Sequence, residues 1–513
     1  MKKIALSLAV AGCVVSSPAQ PVATLHSFAA KAQNTSGVYT NSNGATPLGL
    51  APAGGMVYGS AFDGITNGSG TIFAVRTNGT GFTNLFRFPS LNLDLSTFAQ
   101  TNSVGANPNN LILAGNTLYG TTAYGGPGGS GTVFKINTNG TGFTTLYTFT
   151  ALTFPVTGNN LDGAQPAAGL LLVGSTLYGT TLVGGSTANG TVFKVNTNGT
   201  GFANLHTFVA GTGTFPNVTN SQGANPACEL IAVGNTLYGT TVYGGSNGRG
   251  VVFRVNMDGS GFTNMHTFTG GTGVNYQVTN IDGASPSARL LLAGGTLYGR
   301  TKFGGNSRYG TLFAIQTNGT GFSVLHTFAA GTGSYPNYTN NQGANPNSSL
   351  ILSGNMLLGT AGNGGIFGSG ALFMINTNGT GFTNFHNFPA RPPGPTTPNN
   401  GGANPAELVL FDNKLYGTTG GGGANGSGTV FSLDWSGSGV SLPPPTLHLQ
   451  FGVGALTLQW QTNYPGYAMQ SSTALGNSGS WSNVSTTPAV VGTNYSLTFV
   501  TTNASRFFRL RSP

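Results

Sequence analysis

The sequence predicts an all-β chain, a seven-bladed β-propeller closed by its N-terminal strand and followed by a small β-sandwich. Three observations carry that expectation. The phrase Gly-Thr-Val-Phe and its variants recurs at a period of about sixty residues, with phenylalanine at Phe73, Phe134, Phe193, Phe253, Phe313, Phe373 and Phe431. Each copy holds four short runs rich in β-branched and aromatic residues, separated by glycine and asparagine, which is the pattern of strands and tight turns. The fourth-strand phrase Leu25-His26-Ser27-Phe28 precedes any complete unit, whereas the last unit stops after Phe431 and Leu433 without a fourth strand of its own. The strands balance only if the N-terminal segment completes the last blade, and such closure removes the edges an open stack would expose.

Within each unit the elements follow a fixed order. Gly-Ala-x-Pro, as at Gly163 to Pro166, leads into an aliphatic run such as Leu170-Leu171-Leu172-Val173, the first strand. A Gly-Ser or Gly-Asn pair suited to positive φ turns the chain into Leu-Tyr-Gly-Thr, the second strand. The tyrosine of that phrase is replaced once, by Leu358. Gly-Thr-Val-Phe is the third strand, and an Asn-Gly-Thr-Gly turn joins it to Leu-His-Thr-Phe, the fourth. In such a meander the connections from fourth to first strand and from second to third strand open on one face, and this face carries the long loops.

The order Leu-Tyr-Gly-Thr-Thr, Gly-Gly, Gly-Thr-Val-Phe, Leu-His-Thr-Phe resembles the GloVer tandem-repeat family of secreted bacterial proteins over roughly residues 21 to 435. The resemblance implies a propeller-like fold and export, and it brings no catalytic residues. Leu358 and Ala371 depart from the pattern in one blade.

The domain boundaries are read as follows: residues 1–19 a signal peptide, 20–435 the propeller, 436–445 a Ser/Gly/Pro linker and 446–513 the C-terminal module. Lys2 and Lys3 precede an apolar stretch from Ile4 to Val15, and Ser17-Pro18-Ala19 offers a cleavage site. Val10-Ala11-Gly12-Cys13 also fits a lipoprotein cleavage box, so the expected location is secreted or cell-surface, with anchoring through Cys13 as the variant. The other cysteine, Cys228, reads as a small buried hydrophobe. The C-terminal module alternates apolar and polar residues as in Leu456-Thr457-Leu458-Gln459-Trp460, which suits a small sandwich. It resembles the accessory or surface-retention modules of large secreted bacterial proteins at Gln470-Ser471-Ser472 and Phe507 to Leu510.

Composition limits the function classes. Only 5% of residues are charged, and the net charge of +9 is spread over 513 residues, a weak field for nucleic acid. No other apolar segment approaches the length of a membrane span. Neither a metal nor a cofactor is expected, because His26, His206, His266, His326 and His386 share a fourth-strand slot that elsewhere holds Phe86 or Tyr147, a packing position.

The candidate ligand site is the long-loop face. Its aromatics are Phe215, Tyr276, Tyr335 and Tyr338 on the longer loops and Tyr124, Tyr243, Phe303 and Tyr309 on the shorter ones, suited either to stacking on sugar faces or to pinning the loops. Arg249, Arg300, Lys302 and Arg308 fall in neighbouring units and read as a patch for an anionic partner or as a solvated loop face. For catalysis the candidates are Asp162 and Asp282, which occupy one slot in alternate units and would face each other across the channel mouth as acid and base; the plain structural alternative is an Asx-type turn. The expected function is a non-catalytic, monomeric binding or adhesion scaffold for an extracellular glycan or cell-surface component. A propeller glycoside hydrolase or lyase and a structural surface-layer protein are the alternatives.

Overall fold

The computed structural model describes residues 22–435 apart from 34–38, 66–67, 96–98, 154–157, 214–217, 274–277, 334–337 and 393–397, together with the strands of the C-terminal module. The proposed signal peptide and the linker 436–445 lie outside the described residues.

Blade 3 shows why the repeat folds as it does. Leu171–Val173, Thr176–Thr181, Thr191–Asn196 and Ala203–Thr207 form an antiparallel meander. Gly174 takes φ 59° in the hairpin between the first two strands, a conformation that costs glycine nothing. Gly179 of Leu-Tyr-Gly-Thr lies opposite Phe193 of Gly-Thr-Val-Phe. The ring covers the glycine so closely that a Cβ there would sit 2.6 Å from Phe193 Cζ. In the turn to the fourth strand, Asn198 Oδ1 accepts hydrogen bonds from Thr200 N at 3.0 Å and Thr200 Oγ1 at 2.8 Å. The third-to-fourth pairing carries a bulge between Val192 and Phe193.

Seven such blades are present among the described residues. Their hydrophobic cores form between blades rather than within them, in seven clusters that each join one blade to the next. The cluster between blades 3 and 4, for example, gathers Tyr178, Val192 and Phe208 from one and Leu230, Leu237 and Phe253 from the other. Burying each such side chain contributes about 1.5–3 kcal/mol, so neighbouring blades stabilise each other. The cluster between blades 7 and 1 contains Leu25 and Phe28, and the strand Ala23–Ser27 pairs with Thr429–Asp434 of blade 7.

A second, polar seam holds the blades. An asparagine three residues before each Gly-Ala-x-Pro glycine, at Asn41, Asn102, Asn160, Asn220, Asn280, Asn340 and Asn399, binds that glycine and the connection between second and third strands. Asn160 Oδ1 accepts from Gly163 N and Gly185 N, both at 2.9 Å, while Nδ2 donates to Thr150 O at 2.9 Å and Gly163 O at 2.7 Å. The long connection and the glycine-rich loop of each blade are thereby tied together on one face. The x residue of Gly-Ala-x-Pro has positive φ in every blade, from 52° at Asn345 to 59° at Asn107. Its N–H donates to a carbonyl of the preceding blade, as in Asn225 N to Asn189 O at 2.8 Å and Thr46 N to Ser427 O at 3.1 Å.

The C-terminal module forms two antiparallel sheets. One contains His448–Gly452, Ala455–Gln461, Asn494–Val500 and Ala489–Val491, and the other Ser482–Asn483, Ala468–Ser472 and Phe507–Arg511. Leu458, Met469 and Leu497 are buried.

Candidate functional site in the central channel

Seven first strands converging on one axis leave a central channel. Its cavity, of about 200 Å³, is lined by residues that follow Gly-Ala-x-Pro in all seven blades. The residue immediately before the inner-strand core leucine lines this space in six blades, and in blade 1 Leu48 does so. Read round the ring from blade 1, that position holds Gly49, Asn110, Gly169, Glu229, Arg289, Ser349 and Glu407. The position behind it is leucine in all seven units, from Leu50 to Leu408, and is buried. The scaffold position repeats and the channel position does not.

The polar side chains of this ring bind one another from blade to blade. Arg289 Nη1 donates to Glu229 Oε1 at 3.3 Å. Asn110 Nδ2 donates to Glu407 Oε2 at 3.2 Å, and Leu408 N donates to Glu407 Oε1 at 3.3 Å. Glycine makes room where the side chains cross: a Cβ on Gly49 would lie 2.5 Å from Asn110 Cγ and one on Gly169 2.8 Å from Glu229 Oε2, so the neighbouring side chain would have to shift. Arg300, from the second strand of blade 5, backs the ring: Nη2 donates to Asn347 O at 2.5 Å, Nε to Ser348 O at 3.3 Å and Nη1 to Ser287 Oγ at 3.1 Å.

Confinement governs the protonation of these groups. Burial pushes the Glu407 carboxyl up to about 7, with the Arg289 charge pulling the other way and Glu229 adding to the rise. Burial also raises Glu229 against the opposing Arg289 charge. The Glu229 charge holds the Arg289 guanidinium above its ordinary range, and burial lowers Arg300 to about 10. Perturbed groups of both signs sharing a cleft single it out as a candidate functional site.

The residues expected from sequence are placed elsewhere. Asp162 and Asp282 are buried, and they do not face each other across the channel. Asp162 accepts hydrogen bonds from Tyr147 Oη at 2.8 Å, Thr150 N at 3.0 Å and Thr150 Oγ1 at 2.5 Å. Asp282 binds His266 Nε2 at 2.9 Å and Thr269 Oγ1 at 2.5 Å. Tyr147 and His266 belong to fourth strands, so both carboxylates reach back to the outer edge of the preceding blade. The turn expected of these aspartates is made by Asn160 and Asn280 instead.

The four basic residues do not form one solvated patch either, because Arg300 is spent on carbonyls of the channel wall. Lys302 holds its ammonium 5.8 Å above the Phe303 ring. Arg308 is exposed at φ 74°, and Arg249 is half-buried, its carbonyl accepting from Ser285 N at 3.0 Å. Among the loop aromatics, Phe215, Tyr276 and Tyr335 lie outside the described residues. Tyr338 is fully buried, its hydroxyl donating to Asn345 Oδ1 and its ring 4.7 Å from that of Tyr309. Tyr243 and Phe303 pair through their backbones with Ala224 and Ala284, Tyr124 pairs with Ala106, and all three rings are half-buried. The described rings therefore pin loops to blades.

Glu229, Arg289 and Glu407 were not expected from sequence, because they sit at the head of aliphatic runs that read as core strands. The signal that could have found them is the appearance of charged residues immediately before the inner-strand leucine when the seven units are aligned, at a position that holds glycine, asparagine or serine in the other units. Among the described residues, no group of three His, Cys, Asp or Glu side chains is placed to hold a metal ion, and no helix is long and apolar enough to cross a membrane.

Seven sheets round a polar axial cavity define this molecule as a β-propeller of seven blades. The chain belongs to the Gloeobacter/Verrucomicrobia repeat family, whose model matches residues 12–217 and 151–340. No curated protein matches it. Solved structures similar to it include an oligogalacturonate lyase in complex with manganese, at 11% identity and TM-score 0.44, covering 83% of this chain and 97% of the other. A GH74 enzyme of Niastella koreensis shows 15% identity and TM-score 0.44, covering 86% of this chain and 59% of that one. The computationally designed Ika8 protein shows 13% identity and TM-score 0.38 over 77% of this chain and 98% of its own.

Proposed function

We propose that the protein is an exported, non-catalytic binding propeller for an extracellular polysaccharide, with its seat in the central channel and the long-connection face as the approach. The observation that carries this reading is the channel ring. Charged groups drawn partly out of water, as Glu229 and Arg289 are at 17% and 39% side-chain exposure, cost stability unless they are paired, and no blade needs Glu229, Arg289 or Glu407 for packing, since Gly49, Gly169 and Ser349 serve in the same position elsewhere. The N-terminal strand completes the ring in this reading, and the two C-terminal sheets form a sandwich that retains the protein at the cell surface.

The test is a panel of neutral and acidic polysaccharides presented to the protein, with retention and product release both followed. Retention is expected without product release, and Arg289→Met with Glu407→Ala should abolish it while Tyr124→Ala leaves it intact. Glu229 and Glu407 are the carboxylates a hydrolytic alternative would use. Release of shorter chains that vanishes in Glu407→Ala would replace the binding reading with that one.

A further inference from the structure

We infer that the channel seat takes a single uncharged sugar ring, a hexose unit bearing free hydroxyls, in preference to an acidic or a basic sugar. This rests on the binding reading above and names the ligand class of the same seat.

The first argument is charge. Two carboxylates, Glu229 and Glu407, share the cavity with two guanidinium groups, Arg289 and Arg300, so neither sign dominates. Arg300 is committed to the carbonyls of Asn347 and Ser348 and to Ser287. Arg289 is the anion-binding candidate, and it is already paired with Glu229. A uronate carboxylate drawn to Arg289 would come to lie beside Glu229, with Glu407 lining the same cavity, and like charges crowded together disfavour one another. An amino sugar would meet the same two guanidinium groups with a like charge.

Hydroxyl groups meet no such conflict, because each can donate to a carboxylate and accept from a guanidinium or an amide. The ring supplies both roles in alternation: acceptors on Glu229 and Glu407, donors on Arg289 and Asn110, and both on Ser349. Among the described residues Arg289 makes one side-chain hydrogen bond, through Nη1, so Nη2 and Nε remain for a ligand. A guanidinium fork can donate to two adjacent hydroxyl oxygens at once, since each hydroxyl accepts.

Size and lining decide the rest. A cavity of about 200 Å³ has room for several waters and so for one sugar ring at the seat. Among the described residues no aromatic side chain lines it, so recognition is by the hydroxyl rim rather than by stacking on a ring face, and a free monosaccharide should bind weakly.

The experiment is saturation-transfer NMR on the full chain with glucose, galactose and mannose, set against glucuronate, galacturonate and glucosamine. At least one neutral hexose should bind with a millimolar Kd, and its acidic and basic counterparts at least tenfold more weakly. Arg289→Met and Glu407→Ala should each weaken the hexose at least fivefold. If either variant fails to melt cooperatively, Ser349→Val, which touches no ion pair and fills the seat, should abolish the signal. A uronate that binds as well as its neutral parent, or no hexose signal at all, overturns the inference while leaving polysaccharide retention to be judged separately. Polysaccharide retention untouched by every channel variant overturns the reading beneath it.

Discussion

Asn160 makes four hydrogen bonds with one amide group, to Thr150, Gly163 and Gly185, in a site closed to solvent. A lost bond of this kind costs about 1 kcal/mol, and each buried partner left unsatisfied adds roughly 1–3 kcal/mol. Asn160→Ala should therefore destabilise the protein by about 2–4 kcal/mol. Asn139→Ala, which removes bonds only to Thr141 in an exposed turn, should cost less than about 1 kcal/mol. Thermal melts of the two variants check this, and equal shifts would show that the repeated asparagine is a local turn former only. This residue was visible in the sequence as the start of every Asn-x-x-Gly-Ala phrase. Its role was not, because an Asn that caps its own turn and one that also ties two loops together read identically along the chain. The channel residues were hidden for a related reason. Whether the side chain before a core leucine meets a neighbour or an open axis is set by the convergence of strands some sixty residues apart in sequence, and no local pattern records it.

At the scale of the element, the fourth strand is where histidine replaces phenylalanine, and the structure shows why both fit. His26, His206 and His326 stack nearly parallel on Phe82, Phe262 and Phe382 of the next blade, with centroids 3.6–3.8 Å apart, as Phe86 does on Phe143 at 3.9 Å. The packing role expected from the sequence is the one observed. Burial has a further consequence, lowering His26, His206, His326 and His386 to about 4. Between about 6.5 and 4 the unfolded chain therefore binds more protons than the folded one, so stability is complete above pH 6.5 and declines as the pH falls toward 4. A tenfold change in proton affinity is worth about 1.4 kcal/mol, and on the order of 1–2 kcal/mol per ring survives allowance for partial exposure. Glu407 acts in the opposite sense, since its raised pKa favours the folded state below about 4.5 and that contribution fades as the pH rises through 7. Glu229, also raised by burial, acts in the same sense, and two carboxyls do not offset four rings. The melting temperature should fall between pH 7 and pH 4.5, and His206→Phe with His326→Phe should reduce the fall by about half. A melt independent of pH over that range, or unaffected by the double variant, contradicts the assignment.

For the whole molecule, the blade count and the strand order were legible in the sequence because each unit repeats the same turn chemistry. The manner in which the ends meet depends on contacts between residues about four hundred positions apart. Phe28 N donates to Gly428 O at 3.1 Å, and Asn425 Nδ2 donates to Phe28 O at 3.1 Å. The Phe28 ring packs edge-on to Phe73 of blade 1 at 5.4 Å, as Phe208 packs on Phe253 at the same distance in the middle of the array. Both phenylalanines are fully buried. This equivalence yields a test of closure that needs no structure determination. In a closed ring no blade is an end, so Phe28→Ala and Phe208→Ala should each cost about 3–5 kcal/mol and lower the melting temperature alike. In an open array the strand Ala23–Ser27 would be a terminal segment free to fray, and a substitution within it would cost far less than one in a central blade. Matching shifts for the two variants, with a single cooperative transition in each, support the ring. A Phe28→Ala protein that melts like the parent while Phe208→Ala is strongly destabilised would mean that blade 7 stands without its N-terminal strand. The channel would then be bounded by blades free to part on one side, and the bond from Asn110 in blade 2 to Glu407 in blade 7 would no longer be held in place.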